Sequence, residues 1–394
     1  MKPLIAVYRT IFPAASEAFL VEQVRHLRRV EPIVVTRNGI AQMPAGLNCA
    51  VIAPPGHKWR KHWFTATRSA SLFLAALQGR RPQLIHAHFG PDAVMALPAA
   101  RRLNVPLVVT YHGYDAMFSD RQMLSDLVPT QWHYVLGRRQ LMREAACILV
   151  VSDFLRRQLI ARGFDEHRVR VHHIGVDTDL FKPPGDGGAD RLAQGRYVLN
   201  VARHVDVKGI SVLLRAWRKV ADRHPDAQLL QVGSGPLTES LLQLCNELGL
   251  GQSVRFLGAQ AHSRVIDLMQ HASAVVLCSL TPPSGQQEAL GIVLNEASAC
   301  GVPVIGSRNG GIPEAIVDGE TGFVVPENDC EALTARLCEL WQAPVKARAM
   351  GLKGREFVLK HFNIRVQSTH LEDIYLQLIQ AGSHDRAMRV ASKS

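Results

Sequence analysis

Two glutamates stand eight residues apart in Glu288-Ala289-Leu290-Gly291-Ile292-Val293-Leu294-Asn295-Glu296. Gly291 precedes a helical run at 292–300. A helix that starts there points its first N–H groups and the positive end of its dipole at whatever lies before it, which suits a phosphate. Glu288 is expected in the loop ahead of the helix and Glu296 about one turn inside. One carboxylate could then reach a sugar hydroxyl and the other a ribose. Taken alone, the spacing more often marks two ordinary helix-surface glutamates. In the first half, His112 ends a strand in Thr110-Tyr111-His112-Gly113-Tyr114-Asp115, a place where a lone histidine is more often structural than chemical. His86 and His88 are two apart and share one strand face. They lack a carboxylate or cysteine companion, so no metal is expected; His88 is read as a wall or acceptor-side residue.

The elements that must position these residues alternate. Apolar strand-like runs fall at 4–8, 32–36, 84–88, 107–111, 148–152 and 169–174, with helical candidates at 16–30, 92–103 and 153–161. Near-continuous apolar strands of this length belong to a parallel sheet buried on both faces, and strand–helix alternation predicts doubly wound α/β units. The pattern pauses at Phe181-Lys182-Pro183-Pro184-Gly185-Asp186-Gly187-Gly188, a linker composition. Strands restart at 197–202, 228–232, 253–257, 274–278, 302–305 and 322–325, with helices at 210–223 and 237–248 and a last helix at 365–381. The expected domains are 1–185 and 186–364, with residues 365–382 crossing back. Two such halves facing each other would place ligands between the C-terminal edges of their strands.

Composition bounds the partners. The chain has 394 residues, 47% hydrophobic and 20% charged, which is an ordinary globular balance. No run is long and apolar enough to span a bilayer, and Arg9 interrupts the first apolar run before a signal sequence could form. Seven scattered cysteines without C-x-x-C spacing are expected to be reduced thiols of a cytoplasmic protein. Residues 1–185 hold 24 basic and 13 acidic side chains and the remainder 21 of each, so the whole net charge of +11 lies in the first half. That asymmetry points to an anionic partner or to a solvated basic face.

The ordered run from Leu280 through the glutamate pair to Cys300-Gly301-Val302-Pro303, Gly310-Gly311-Ile312-Pro313-Glu314 and Asp318-Gly319-Glu320-Thr321-Gly322 closely resembles the retaining nucleotide-sugar glycosyltransferases of the glycosyl transferases group 1 family. The resemblance implies a GT-B fold: α/β, with two Rossmann-like doubly wound domains facing a central cleft, the first for the acceptor and the second for the donor. Val201-Ala202-Arg203-His204-Val205-Asp206-Val207-Lys208-Gly209 looks like the family's strand, arginine, loop and lysine, so Arg203 and Lys208 are expected to neutralise the leaving diphosphate. Gly233 matches the glycine turn near the nucleotide, and Leu257 the strand end whose backbone holds the base. Leu290, Gly291, Ile292 and Val293 line the donor beside Glu288 and Glu296. Glu288 is expected to position the donor sugar and His112 to hold it from the other side. Asp177-Thr178-Asp179 mimics a metal motif but resembles the family's inter-domain turn, so neither metal nor cofactor is expected.

Two departures stand out. Ala289 replaces a frequent glycine, and the family's paired glycines after the first strand give way to Arg9-Thr10-Ile11-Phe12-Pro13-Ala14-Ala15-Ser16-Glu17. That pattern resembles a subgroup acting in exopolysaccharide and capsule assembly. Ser16 is expected as a helix N-cap with Glu17 in the first turn, both on the acceptor side with Asp115. The segment His57-Lys58-Trp59-Arg60-Lys61-His62-Trp63-Phe64-Thr65-Ala66-Thr67-Arg68 mixes cations with aromatics. It suits either an anionic membrane interface or a helix with one solvated basic face. The implied enzyme transfers a GDP- or UDP-linked hexose to a glycan acceptor, expected to be polyprenyl-diphosphate-linked, at the inner face of the cytoplasmic membrane. The alternatives are a nucleotide-sugar epimerase or hydrolase of the same fold, a soluble acceptor, or a non-catalytic binding subunit. No nucleic-acid reader motif is present.

Overall fold

The computed structural model of the chain describes residues 2–13, 17–38, 44–185 and 196–391. The chain forms two compact units, Met1–Gly175 with Ile364–Ser394, and Val176–Asn363.

The first unit contains β1 (Leu4–Arg9), α1 (Ala18–His26), β2 (Glu31–Asn38), β3 (Cys49–Ala53), α2 (Lys58–Thr67), α3 (Ala70–Ala76), β4 (Leu84–His88), α4 (Gly90–Leu103), β5 (Leu107–Tyr111), α5 (Tyr114–Met117), α6 (Asp120–Ser125), α7 (Pro129–Glu144), β6 (Cys147–Val150), α8 (Asp153–Ala161) and β7 (Val169–Val171). Its strands run parallel in the order β3-β2-β1-β4-β5-β6-β7. β4 and β5 are buried at every position, His86 and His88 of β4 included, as helices covering both faces require. The order turns back between β1 and β4, so the loops after these two strands diverge and leave a crevice at the sheet's C-terminal edge. The C-terminal helix, Ile364–Ala391, packs Leu371, Tyr375 and Ile379 into the core formed by Ile5, Val24 and Leu84. Glu372 fixes its register: Oε1 accepts the N–H groups of Arg28 and Arg29, both at 2.5 Å, and of Val30 at 3.3 Å.

The second unit contains β8 (Tyr197–Val201), α9 (Ile210–Arg223), β9 (Gln228–Val232), α10 (Thr238–Glu247), β10 (Val254–Gly258), α11 (His262–Gln270), β11 (Ala274–Leu277), α12 (Ile292–Ala299), β12 (Val304–Ser307), β13 (Gly322–Val325), α13 (Cys330–Gln342) and α14 (Pro344–His361). Its parallel order is β10-β9-β8-β11-β12-β13, with the turning point between β8 and β11. The strongly amphipathic α9 buries Ile210, Leu213, Leu214 and Trp217 against this sheet.

Several expectations are corrected at this level. The named apolar runs omit β3, a short strand at the sheet's edge. Helix α1 is shorter at both ends than 16–30. Glu17 occupies the N-cap position rather than the first turn, and its side chain makes no capping bond because its carboxylate pairs with Arg9. Ser16, expected to cap, lies outside the described residues, as do residues 186–188 of the linker.

Candidate active site

In the second unit, Lys208 follows β8 in a short 3-10 turn, Asp206–Lys208, and Glu288 lies in the loop after β11. Both loops leave the sheet at its turning point. They bring Lys208 Nζ to 2.5 Å from Glu288 Oε2, with both side chains mostly buried. Ser279 Oγ donates to the same carboxylate oxygen at 3.1 Å. The ammonium keeps two further N–H donors, while the pair as a whole is neutral. Lys208 can therefore direct hydrogen bonds to a diphosphate, but it does not bring an uncompensated charge. Arg203 is exposed on the same loop.

The Glu288 backbone is held on both sides. Its N–H donates to Asn309 Oδ1 at 2.8 Å, and its carbonyl accepts Gly311 N–H at 2.9 Å. Gly310 takes φ 53°, and a Cβ there would lie 1.9 Å from the Glu288 oxygen, so only glycine fits. The Asn309 amide also donates to Thr281 Oγ1 at 3.0 Å and Glu327 Oε2 at 2.9 Å. Sequence reasoning did not single out Ser279, Asn309, Thr281 or Glu327. Asn309 sits directly before the noticed glycine pair, which is the one local signal that could have found it.

Leu290 is buried, and Gly291 is the N-cap of α12. The N–H groups of Ile292 and Val293 precede the first backbone bond of that helix, from Leu294 N to Gly291 O at 2.9 Å. They sit at the positive end of its dipole. Glu296 lies on the next turn of α12, half-buried, and burial pushes its carboxyl up to about 7. A Cβ on Gly233 would lie 1.9 Å from the Ala202 carbonyl, so the turn after β9 packs backbone on backbone. Leu257 falls where the β9–β10 register shifts, and its carbonyl accepts from Gln260 Nε2 at 2.5 Å.

In the first unit, the crevice between β1 and β4 is crossed by a charge network. The Arg9 guanidinium donates to both oxygens of Glu17, at 2.8 and 2.7 Å, and to Asp92 Oδ2 at 2.8 Å, while stacking over Phe89 with 4.4 Å to the ring centroid. Asp92 also accepts from Thr10 N at 2.7 Å and Thr10 Oγ1 at 2.5 Å. Neither Arg9 nor Asp92 was a sequence candidate. Phe89 adopts φ 73°, unusual for a residue with a Cβ, and so aims its ring between Arg9 and His112.

His86, His88 and His112 form a column, with ring centroids 4.3 Å and 5.2 Å apart. His86 bonds Tyr375 Oη and Thr110 Oγ1 inside the core. His88 Nδ1 and His112 Nε2 share a hydrogen bond of 3.0 Å. His88 is 1% exposed, so it stands behind His112 and not at a surface, a correction to its reading as a wall residue. Burial first, then the Arg9 charge, lowers the His112 pKa to about 3, so the ring is neutral near pH 7. His112 is only partly buried, whereas Asp115 is fully buried. It accepts the N–H groups of Gly90, His112 and Gly113 at 2.9, 3.2 and 3.0 Å and so fixes the His112 loop. Burial outweighs these bonds and pushes its carboxyl up to about 6. Asp177 Oδ1 accepts the N–H groups of Asp179 and Leu180 at 3.0 and 3.1 Å, an arrangement that closes a turn.

Residues 191–357 match the model of the glycosyl transferases group 1 family, and residues 16–180 match that of glycosyltransferase family 4. The chain is 34% identical over 299 residues to a GDP-mannose-dependent alpha-(1-6)-phosphatidylinositol monomannoside mannosyltransferase of Mycolicibacterium smegmatis, covering 73% of this chain and 75% of that protein. It is 30% identical over 321 residues to the putative colanic acid biosynthesis glycosyltransferase WcaL of Escherichia coli, covering 78% and 74%. Sucrose-phosphate synthase of Thermosynechococcus elongatus superposes with a TM-score of 0.77 at 24% identity, over 96% of this chain and all of that one. Anabaena HepE, solved with UDP and glucose, superposes with a TM-score of 0.74 at 19% identity, over 95% and 100%. These two structures establish a GT-B α/β fold. Together with the family models and the identity to the two bacterial relatives, they make the chain a member of the glycosyl transferases group 1 family, a nucleotide-sugar glycosyltransferase.

Proposed function

We propose that the enzyme transfers a hexose, with retention of configuration and without a metal, from a GDP- or UDP-linked donor to a glycan acceptor carried on a polyprenyl diphosphate. The second unit takes the donor and the first the acceptor. The observation that carries this reading is the Lys208–Glu288 pair at the turning point of the second sheet, beside the N-terminus of α12. Lys208 and Arg203 serve the leaving diphosphate, with the N–H groups at the start of α12 and its dipole. Glu288 positions the sugar and Glu296 the ribose. His112, neutral and held by Asp115, is the first unit's contribution to the sugar. Metal independence is supported by the supply of cations from the chain and by the turn-closing role of Asp177.

Two relatives point toward the substrates: one is a GDP-mannose-dependent mannosyltransferase and one is named for colanic acid biosynthesis. The surface-polysaccharide role and the cytoplasmic membrane face are supported by the basic first half and the exposed Trp59 and Trp63 among Lys58 and Lys61 on α2. Among the described residues, no helix is long and apolar enough to cross a membrane.

A thermal-shift series with GDP-mannose, GDP-glucose, UDP-glucose and UDP-galactose tests the donor. A ligand at about 100 times its Kd adds roughly 2.7 kcal/mol, a clear shift. One base is expected to stand out, and turnover with that donor is expected to survive EDTA. Loss on chelation with recovery in magnesium would overturn the metal-free reading. Release of free sugar or an epimer without acceptor would favour the hydrolase or epimerase.

A further inference from the structure

We propose that α7 and the loop entering it form the second half of a bilayer-docking face whose first half is α2, and that this face sits on a membrane containing anionic lipid. The proposal deepens the membrane-surface reading above and rests on it.

Helix α7 buries Tyr134, Gly137 and Leu141. After Pro129 at its start, its exposed residues Trp132, Leu136, Arg139 and Arg143 are spaced four, three and four apart, which at 3.6 residues per turn confines these four to an arc of about 60°. The stripe is apolar at its start and cationic at its end. Leu136 is 83% exposed and Leu127, just before the helix, 75%. Trp132 Nε1 donates to the Leu124 carbonyl at 3.1 Å, so its ring can leave water without stranding its N–H.

α7 packs beside α2, where His133 Nε2 bonds the Thr65 carbonyl at 2.7 Å. Trp59 and Trp63 are 59% and 57% exposed on α2, next to exposed Lys58 and Lys61. Arg60 and Arg68 are half-buried, so the cations free for docking are the two lysines and the two α7 arginines. The acidic neighbours Asp120 and Glu144 are paired with Arg138 and Arg101, and Asp165, which lines one groove with Arg139 and Arg143, is paired with Arg168 at 3.6 Å; Asp126 is also exposed nearby.

Exposed indoles and leucines bordered by cations match the boundary between anionic headgroups and acyl chains. A second copy of this chain would set these cations against themselves, and the residues up to 185 carry the whole net charge of +11.

The test uses phosphatidylcholine vesicles with and without phosphatidylglycerol. Wild type is expected to co-sediment with the anionic vesicles alone. Trp132→Ser with Leu136→Ser is expected to lower the partition coefficient at least tenfold with an unchanged melting temperature, and Arg139→Gln with Arg143→Gln to flatten its salt dependence. In a Trp59→Phe, Trp63→Phe protein, whose other tryptophans Trp217 and Trp341 are buried, the emission component removed by Trp132→Phe is expected to shift to the blue on vesicles and to be quenched by brominated chains. The proposal is overturned by α7 variants that partition like wild type, by an unquenched Trp132, or by wild type ignoring anionic vesicles at low salt. It is equally overturned by a concentration-dependent dimer that these variants abolish, since a second copy would then be the occupant. A nucleotide-sugar thermal shift on the same samples separates the two readings. Donor binding without vesicle binding removes the docking face alone, and vesicle binding without donor binding removes the proposed reaction.

Discussion

Lys208 and Glu288 are separated by 80 positions in sequence and by 2.5 Å in space, so each sets the other's chemistry. Removing either leaves the partner's charge largely buried and unanswered. Lys208→Met is therefore expected to lower turnover at least ~100-fold, as loss of one preorganised donor does. Adding Glu288→Gln is expected to cost much less than a second independent loss, because the two act as a unit. Additive losses in single-turnover kinetics would show the pair to be incidental. Glu296 provides a pH test. Its folded pKa of about 7 lies above the usual ~4.3. The raised value favours the folded state fully below pH ~4, and that stabilisation is lost as pH rises through 7. Glu296→Gln should thus melt higher than wild type at pH 8 and level with it at pH 4.5. If its carboxylate accepts ribose hydroxyls, wild-type donor affinity will fall as pH drops below 7 while the variant shows no such slope. A flat wild-type profile would remove Glu296 from the ribose. The glutamate pair was legible because eight-residue spacing across a helix start is a local pattern. The Lys208 contact was not, since only the adjacency of β8 and β11 creates it.

At the scale of elements, Asn309 ties three loops together: its Oδ1 holds the Glu288 N–H and its amide bridges Thr281 and Glu327. Asn309→Ala is expected to destabilise by about 1–3 kcal/mol, the cost of stranding buried polar groups, and to lower turnover by loosening Glu288. Asn309→Asp keeps the acceptor but sets a carboxylate against Glu327 Oε2, so it should not rescue. Rescue by Asp in melting and turnover assays would show that only the Glu288 bond matters. The strands that carry these loops could be read from the sequence because a parallel sheet buried on both faces needs near-continuous apolar runs, as in β6 and β11. Local sequence failed where an edge or a distant partner decides. β3 sits at the rim, α1 is entered through an Arg9–Glu17 pair instead of a serine cap, and the bulge at Leu257 follows from its register with β9. Asp115 was noticed in its motif, but that its carboxylate would also accept the Gly90 N–H depends on β4 lying beside β5.

For the whole molecule, the first unit concentrates buried neutral imidazoles. Burial lowers His112 to about 3 and His172 to about 4, and drives His86 and His88 well below their usual value. All four are neutral in the folded state at pH 6, whereas in an unfolded chain with pKa near 6.5 they begin to charge. The unfolded state then binds more protons, so stability falls with pH from about 6.5 toward the folded values. Each such group costs about 1.4 kcal/mol per pH unit in that window. Asp115 works the other way, since its raised pKa of about 6 favours the folded state in acid, but it is one group against four. In the second unit, burial lowers His204 and raises Glu296, and these two shifts act on acid stability in opposite directions. Hydrogen exchange read by mass spectrometry at pH 7 and pH 5, corrected for intrinsic rates, resolves both units in one sample. Amides of β4 and β5 are expected to lose protection on acidification while those of β8 and β11 keep theirs. The His86→Phe variant, which removes one titrating ring from the core, should reduce that loss relative to its own value at pH 7. Equal acid loss in both sheets would mean that the histidine column is not what ties the first unit's stability to pH.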